Sequence, residues 1–150
     1  MSEKATSKET TSGLSAEERA AVKERAKELR AQEKAGKNRE AGLKSVLDVI
    51  AKLDGSDKRI CEGLVKVAGE VAPELVGKTY YGMPGFANAD GKMVVFVQPA
   101  GKFKTRYATL GFEHPSHLDD GDMWATAFAV LDWNDAVEKR VTELVKKAVS

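Results

Sequence analysis

Residues that could do chemistry gather in three places along this chain. Tyr80-Tyr81-Gly82-Met83-Pro84-Gly85-Phe86 packs two tyrosines, a phenylalanine, two glycines and a proline into seven positions. Aromatic walls around a bent backbone suit a ligand pocket, with a phenolic hydroxyl at its rim. The pattern reads as a strand that breaks at Gly82, turns at Pro84 and resumes near Phe86. Further on, Lys102, Lys104 and Arg106 alternate with Phe103, Thr105 and Tyr107. On a strand, all three cations project from one face. That face is either solvated or an anion patch beside aromatic rings that suits a phosphate, a carboxylate or nucleic acid, the last weakened by the acidic residues elsewhere. The third place is Asp119-Asp120-Gly121-Asp122, a compact acidic loop whose oxygens suit a hard cation. Its spacing does not match an EF-hand. His114 and His117 lie three apart around Pro115, which sets them in a loop rather than on a metal-binding helix.

Other chemistries leave no trace. There is no Ser–His–Asp order, phosphate loop, dinucleotide fingerprint or zinc motif, so catalysis is not expected. Cys61 stands alone on an apolar helix face and reads as an inert buried thiol. One cysteine fits a reducing cytoplasm. The polar N-terminus shows no secretory signal, and no apolar run is long enough to span a bilayer. Net charge over 150 residues is +1, so bulk electrostatics predict no nucleic-acid partner. A cytoplasmic monomer that binds a small molecule or a protein is the expected class.

Several elements must position these residues. Residues 1–13 are polar and should be disordered. Ser15 and Glu18 have capping-box spacing, and Ala16 to Lys34 is rich in Ala, Glu, Lys and Arg. Only Val22 and Leu29 are apolar there beyond alanine, so that helix should stay solvated. Gly36 to Gly42 reads as a polar linker. Residues 1–41 thus form a tail with a charged helix near 15–34, and 42–150 form the folded domain. That tail helix could also dock on a partner protein.

Leu43, Val46, Leu47, Ile50 and Leu53 follow a helical period. A second helix carries Ile60, Leu64, Val67 and Val71 and is limited by Pro73. Strands follow at Val76 to Tyr81, around Phe86, at Met93 to Val97, at Phe103 to Leu110 and at Trp124 to Val130. Asp90-Gly91 is a hairpin signal. The near-continuous apolar run Met93 to Val97 predicts a central strand. Asn134 or Asp132 caps a last helix whose buried face is Val137, Val141, Leu144, Val145 and Ala148. The predicted class is α+β in two layers. About four to five antiparallel strands pack against two preceding helices and a C-terminal one.

Tyr81-Gly82-Met83-Pro84 with Phe86, then an apolar strand after a Gly-Lys turn, resembles the bacterial YdhG-like family over roughly residues 43–149. The segment Lys102 to Tyr107 and the ending Lys146 to Ser150 resemble an actinobacterial subgroup of it. The resemblance implies a small α+β domain of largely uncharacterised function. Some members are described as frataxin-like iron chaperones, which implies iron as a possible cofactor or cargo. The iron candidates Asp119, Asp120 and Asp122 come from the loop itself and not from a family motif. The ligand-binding candidates are Tyr81, Met83, Phe86, Lys104, Arg106 and Tyr107.

Overall fold

Helical periodicity gives way to strand alternation at Pro73, and the chain folds accordingly. A computed structural model describes residues 15–150, without the side chains at 28, 29 and 31–37. The expected disorder of 1–13 and the apolar role of Leu29 lie outside the described residues. The chain forms two compact units, 1–38 and 39–150.

Helix α1 spans Ala16–Ala51. Ser15 Oγ accepts from the Glu18 N–H at 3.2 Å, as the capping spacing predicts. In the first unit Val22 is exposed, in keeping with a solvated helix. The helix continues through 36–42, where a linker was expected. An isolated glycine costs a helix only about 1 kcal/mol relative to alanine, and the flanking residues are good helix formers. Gly42 also has a packing role. A Cβ there would stand 2.1 Å from the Gly77 carbonyl oxygen, so glycine lets helix and strand touch. Of the predicted apolar stripe, Val46 and Ile50 are buried, Leu53 is half-buried, and Leu43 and Leu47 are exposed.

Helix α2 spans Gly55–Val71 and buries Ile60, Cys61, Leu64, Val67 and Ala68. Five strands follow as an antiparallel meander in the order β1-β2-β3-β4-β5. They are β1 Val76–Tyr80, β2 Met83–Ala87, β3 Met93–Gln98, β4 Ala108–Phe112 and β5 Ala127–Val130. Helix α4, Asp135–Ala148, closes the fold, and Asn134 Oδ1 caps it by accepting from the Val137 N–H at 2.9 Å. The fold is α+β, with β3 central as its apolar run requires. Among the described residues no helix is long and apolar enough to cross a membrane.

Register decides which side chains meet the helices. The pairs Phe86–Val95, Val97–Leu110 and Leu110–Phe128 lie on one face. With Val46, Ile60, Leu64, Val67, Val141 and Val145 from the helices, they make the core. The opposite face carries Lys78, Tyr80, Met83, Gly85, Phe96 and Gly111. Phe86 opposes Val95 while Ala87 opposes Met93, which leaves Val94 as the extra residue of a β-bulge. Its carbonyl accepts from the Glu113 N–H at 3.0 Å and the Ser116 hydroxyl at 2.7 Å. The bulge turns the Met93 side chain onto the Gly85 face.

Two strand expectations are corrected. Phe103 to Tyr107 is not a strand. Ala100–Phe103 forms a single helical turn, α3, and Lys104 takes a left-handed conformation with φ 55°. The Asp57 carboxylate, reaching across from α2, accepts from the Ala100 and Gly101 N–H groups, both at 2.9 Å. That cap satisfies the turn and overrides the local alternation. β5 likewise begins at Ala127 rather than Trp124.

Candidate functional site

The Tyr80–Phe86 bend is a two-residue hairpin. Tyr80 pairs with Met83, so Tyr81 and Gly82 are its central residues. Their φ values are 51° and 77°, as a type I′ turn requires. The expected turn at Pro84 is corrected: Pro84 is buried inside β2, opposite Thr79. That pair follows the hydrogen-bonded closing pair, so its nitrogen faces away from β1. The β2–β3 ladder begins only at Gly85. A strand proline therefore removes no ladder bond here.

This geometry separates the expected pocket residues. Tyr81 points outward and is 83% exposed. Met83 is buried on the face opposite the helices, and Phe86 is buried in the helix-side core. The three do not line one cavity. The cations also lie off any strand. Lys102 Nζ donates to the Gly82 carbonyl at 3.2 Å and sits 5.7 Å from the centre of the Phe103 ring. The Arg106 guanidinium lies 5.2 Å from the Tyr107 ring centre. Lys104, Arg106 and Tyr107 are surface residues of the β3–β4 connection and do not line the cleft that holds Tyr80.

The cavity beside the bend belongs to Tyr80 instead. Two glycines shape its floor. A Cβ on Gly111 would stand 2.4 Å from the Phe96 ring, and one on Gly85 would stand 2.7 Å from Met93 Sδ. Without side chains at those points, Phe96 and Met93 lie flat along the sheet. Tyr80 joins them, its ring centre 5.2 Å from that of Phe96. An open cleft of about 610 Å³ lies over Tyr80 and Met93. One wall is the β2–β3 turn with Asn88, Asp90 and Lys92; the other is Glu113, His114 and Pro115.

Both walls are fixed by hydrogen bonds to backbone groups. Asn88 Oδ1 accepts from the Asp90 and Lys92 N–H groups, each at 3.0 Å. Glu113 is held through the Val94 carbonyl. Burial, then the Glu113 carboxylate and Tyr81, push the Tyr80 phenol above its ordinary pKa. It stays a neutral donor at physiological pH. The cleft thus offers the Tyr80 ring with its phenol, the Met93 thioether, the Asp90 and Glu113 carboxylates, the Lys92 ammonium, the Asn88 amide and the His114 imidazole. A second cleft, of about 530 Å³, lies between β5 and α4 and is lined by Phe128, Val137 and Arg140 among others.

The acidic loop does not assemble. Asp119, Asp120 and Asp122 are exposed around Gly121, whose φ is 67°. Among the described residues no three His, Cys, Asp or Glu side chains converge to hold a metal ion. His117 is engaged with the C-terminus: its N–H donates to the Ala148 carbonyl at 2.9 Å, and Nδ1 is 3.0 Å from the Ser150 carbonyl. Burial pushes the Cys61 thiol up to about 12, as an inert core cysteine requires.

Sequence reasoning missed Tyr80, Met93 and Glu113. The available signal was parity: if the turn is Tyr81-Gly82, then Tyr80 faces with Met83 and away from Phe86. Comparison with known protein families, with curated proteins and with solved structures found no match.

Proposed function

We propose that this chain is a cytoplasmic, non-enzymatic binding domain of YdhG-like type, and that its ligand site is the cleft over Tyr80 and Met93. The observation that carries the proposal is the cleft itself. It combines an aromatic and thioether floor with polar groups on two walls, one held by the Asn88 side chain and the other through the Val94 carbonyl. Fixed walls and a half-apolar floor favour a small ligand with a ring or short apolar body. Asp90 and Glu113 against Lys92 favour an amine over a carboxylate on that ligand. The cations expected to attract an anion, Lys104 and Arg106, stand outside this cleft.

Methyl NMR on methionine-labelled protein tests the proposal, with tyramine and tryptamine as probes and the matching aromatic carboxylates as counter-probes. The Met93 methyl should shift with the amines, while Met123, 87% exposed in the β4–β5 loop, serves as the internal control. Tyr80→Ala and Glu113→Gln should each weaken the response. Silence of Met93 across both probe sets, or a response unchanged in Tyr80→Ala, would overturn the assignment.

A further inference from the structure

We infer that the end of the sheet carrying the Tyr81–Gly82 turn and the β3–β4 connection is a binding surface for single-stranded nucleic acid. Net charge hides how cations are distributed. The chain has 24 Lys and Arg against 23 Asp and Glu, yet residues 76–89 and 98–112 contain no acidic residue. The Asp57 carboxylate that reaches the second segment is engaged by the Ala100 and Gly101 N–H groups. These two segments meet, because Lys102 Nζ is bonded to the Gly82 carbonyl. Among the described residues neither Lys104 nor Arg106 forms an ion pair, in contrast to Arg59 with Asp132 and Lys66 with Glu138. Phosphates are the complement of such a surface.

The rings point to nucleic acid rather than to an acidic peptide. Tyr81 is 83%, Phe103 41% and Tyr107 36% exposed, all within this patch. Carboxylates would need only the cations. Exposed rings interleaved with cations are the apparatus that stacks successive bases while tracking a phosphate backbone.

Backbone conformation adds an independent observation. Among the described residues just two non-glycine residues have positive φ, Tyr81 and Lys104, and both belong to this patch. The first position of a type I′ turn prefers Asn, Asp or Gly, and a left-handed helix cap prefers Gly. At each, the chain instead holds a bulky ring or a cation in a disfavoured conformation and presents it outward. Strain kept at an exposed position, rewarded at Tyr81 only by an edge contact with the Tyr80 ring, marks a site that serves something other than folding. The three cations set the electrostatics, and the rings accept bases without choosing among them.

Fluorescence anisotropy on the full chain tests this, with labelled oligothymidylate of about 12 nucleotides and a labelled oligoglutamate peptide as the rival. Binding to the oligonucleotide should weaken roughly twentyfold between about 50 and about 200 mM salt, as three phosphate contacts on a single strand imply. Tyr81→Asn should weaken it about tenfold, the worth of one stacked base, while melting at the same or a higher temperature, because Asn accepts the turn. Lys104→Gly with Arg106→Gln should flatten the salt dependence. All variants keep α1 intact, so its cations contribute equally throughout. No binding at the lower salt, equal binding of oligoglutamate, or affinity unchanged in Tyr81→Asn would each overturn the inference.

Discussion

Two turns bracket β2. The turn at Asn88–Lys92 satisfies its own backbone, whereas the turn at Tyr81–Gly82 sets its side chain against its backbone. In the first, Gly91 takes the left-handed conformation at φ 79°, and Asn88 accepts two backbone N–H groups. Residue types there match backbone demands one for one. In the second, glycine takes only Gly82, and Tyr81 is forced to φ 51° with its ring in solvent. Both turns join neighbouring strands of one sheet, so topology does not explain the difference. The conforming turn is one wall of the cleft, where rigidity serves a pocket. The nonconforming turn displays a ring at the end of the sheet. Local inconsistency of this kind is where folding and function part company.

The sharpest way to break the comparison is to strain the conforming turn. Gly91→Val would put a β-branched residue at positive φ and should destabilise the domain by about 2 kcal/mol in urea unfolding. Little change would mean that the turn is not the rigid wall described here. Asn88→Ala comes next. It leaves the Asp90 and Lys92 N–H groups to water and should cost about 1–2 kcal/mol. It should also loosen the cleft wall, read as faster hydrogen exchange at those two amides. The opposite sign is expected at the other turn. Tyr81→Asn relieves about 1–2 kcal/mol of backbone strain. It forfeits an edge contact with Tyr80, at 4.8 Å between ring centres, worth about 0.5 kcal/mol at so exposed a site. A net gain of about 0.5–1 kcal/mol should follow; a loss would show that the ring is structural.

Much of the fold was legible because local and tertiary preferences agree in it. Met93 to Val97 forms the central strand, with Val95 and Val97 fully buried toward the helices and Phe96 half-buried on the other face. The face Val137, Val141, Leu144, Val145 and Ala148 packs with Asn134 as its cap. The Asp90-Gly91 turn also lies where its residue types demand. Legibility fails where distant groups decide. Nothing near Phe103 announces that Asp57, more than forty positions upstream, accepts from Ala100 and Gly101 and so winds the segment into a helical turn. Nothing near Gly42 announces that Gly77 needs the space. The candidate site failed by one residue of parity. A turn centred on Pro84 leaves Tyr81, Met83 and Phe86 free to share a pocket. A turn centred on Tyr81-Gly82 sends Met83 and Phe86 to opposite faces and brings Tyr80 to the cleft.

The smallest expected effect is the titration of Tyr80. The folded protein holds the Tyr80 phenol above its ordinary value of 10.0, chiefly through burial and secondarily through Glu113. A raised phenol means that the folded state binds the proton more tightly than the unfolded state does. The stabilisation is therefore complete below the unfolded value and is lost as pH rises through the folded one. Stability of the natural chain should fall more steeply above about pH 10 than that of Tyr80→Phe. Cys61, pushed up to about 12, also titrates in that range but is common to both proteins, so the difference isolates Tyr80. Glu113→Gln should recover only part of the gap, because the carboxylate is the lesser cause. If Glu113→Gln recovered all of it, the phenol would be governed by the cleft wall rather than by the floor. The cleft would then be wetter over Tyr80 than its ring packing on Phe96 implies.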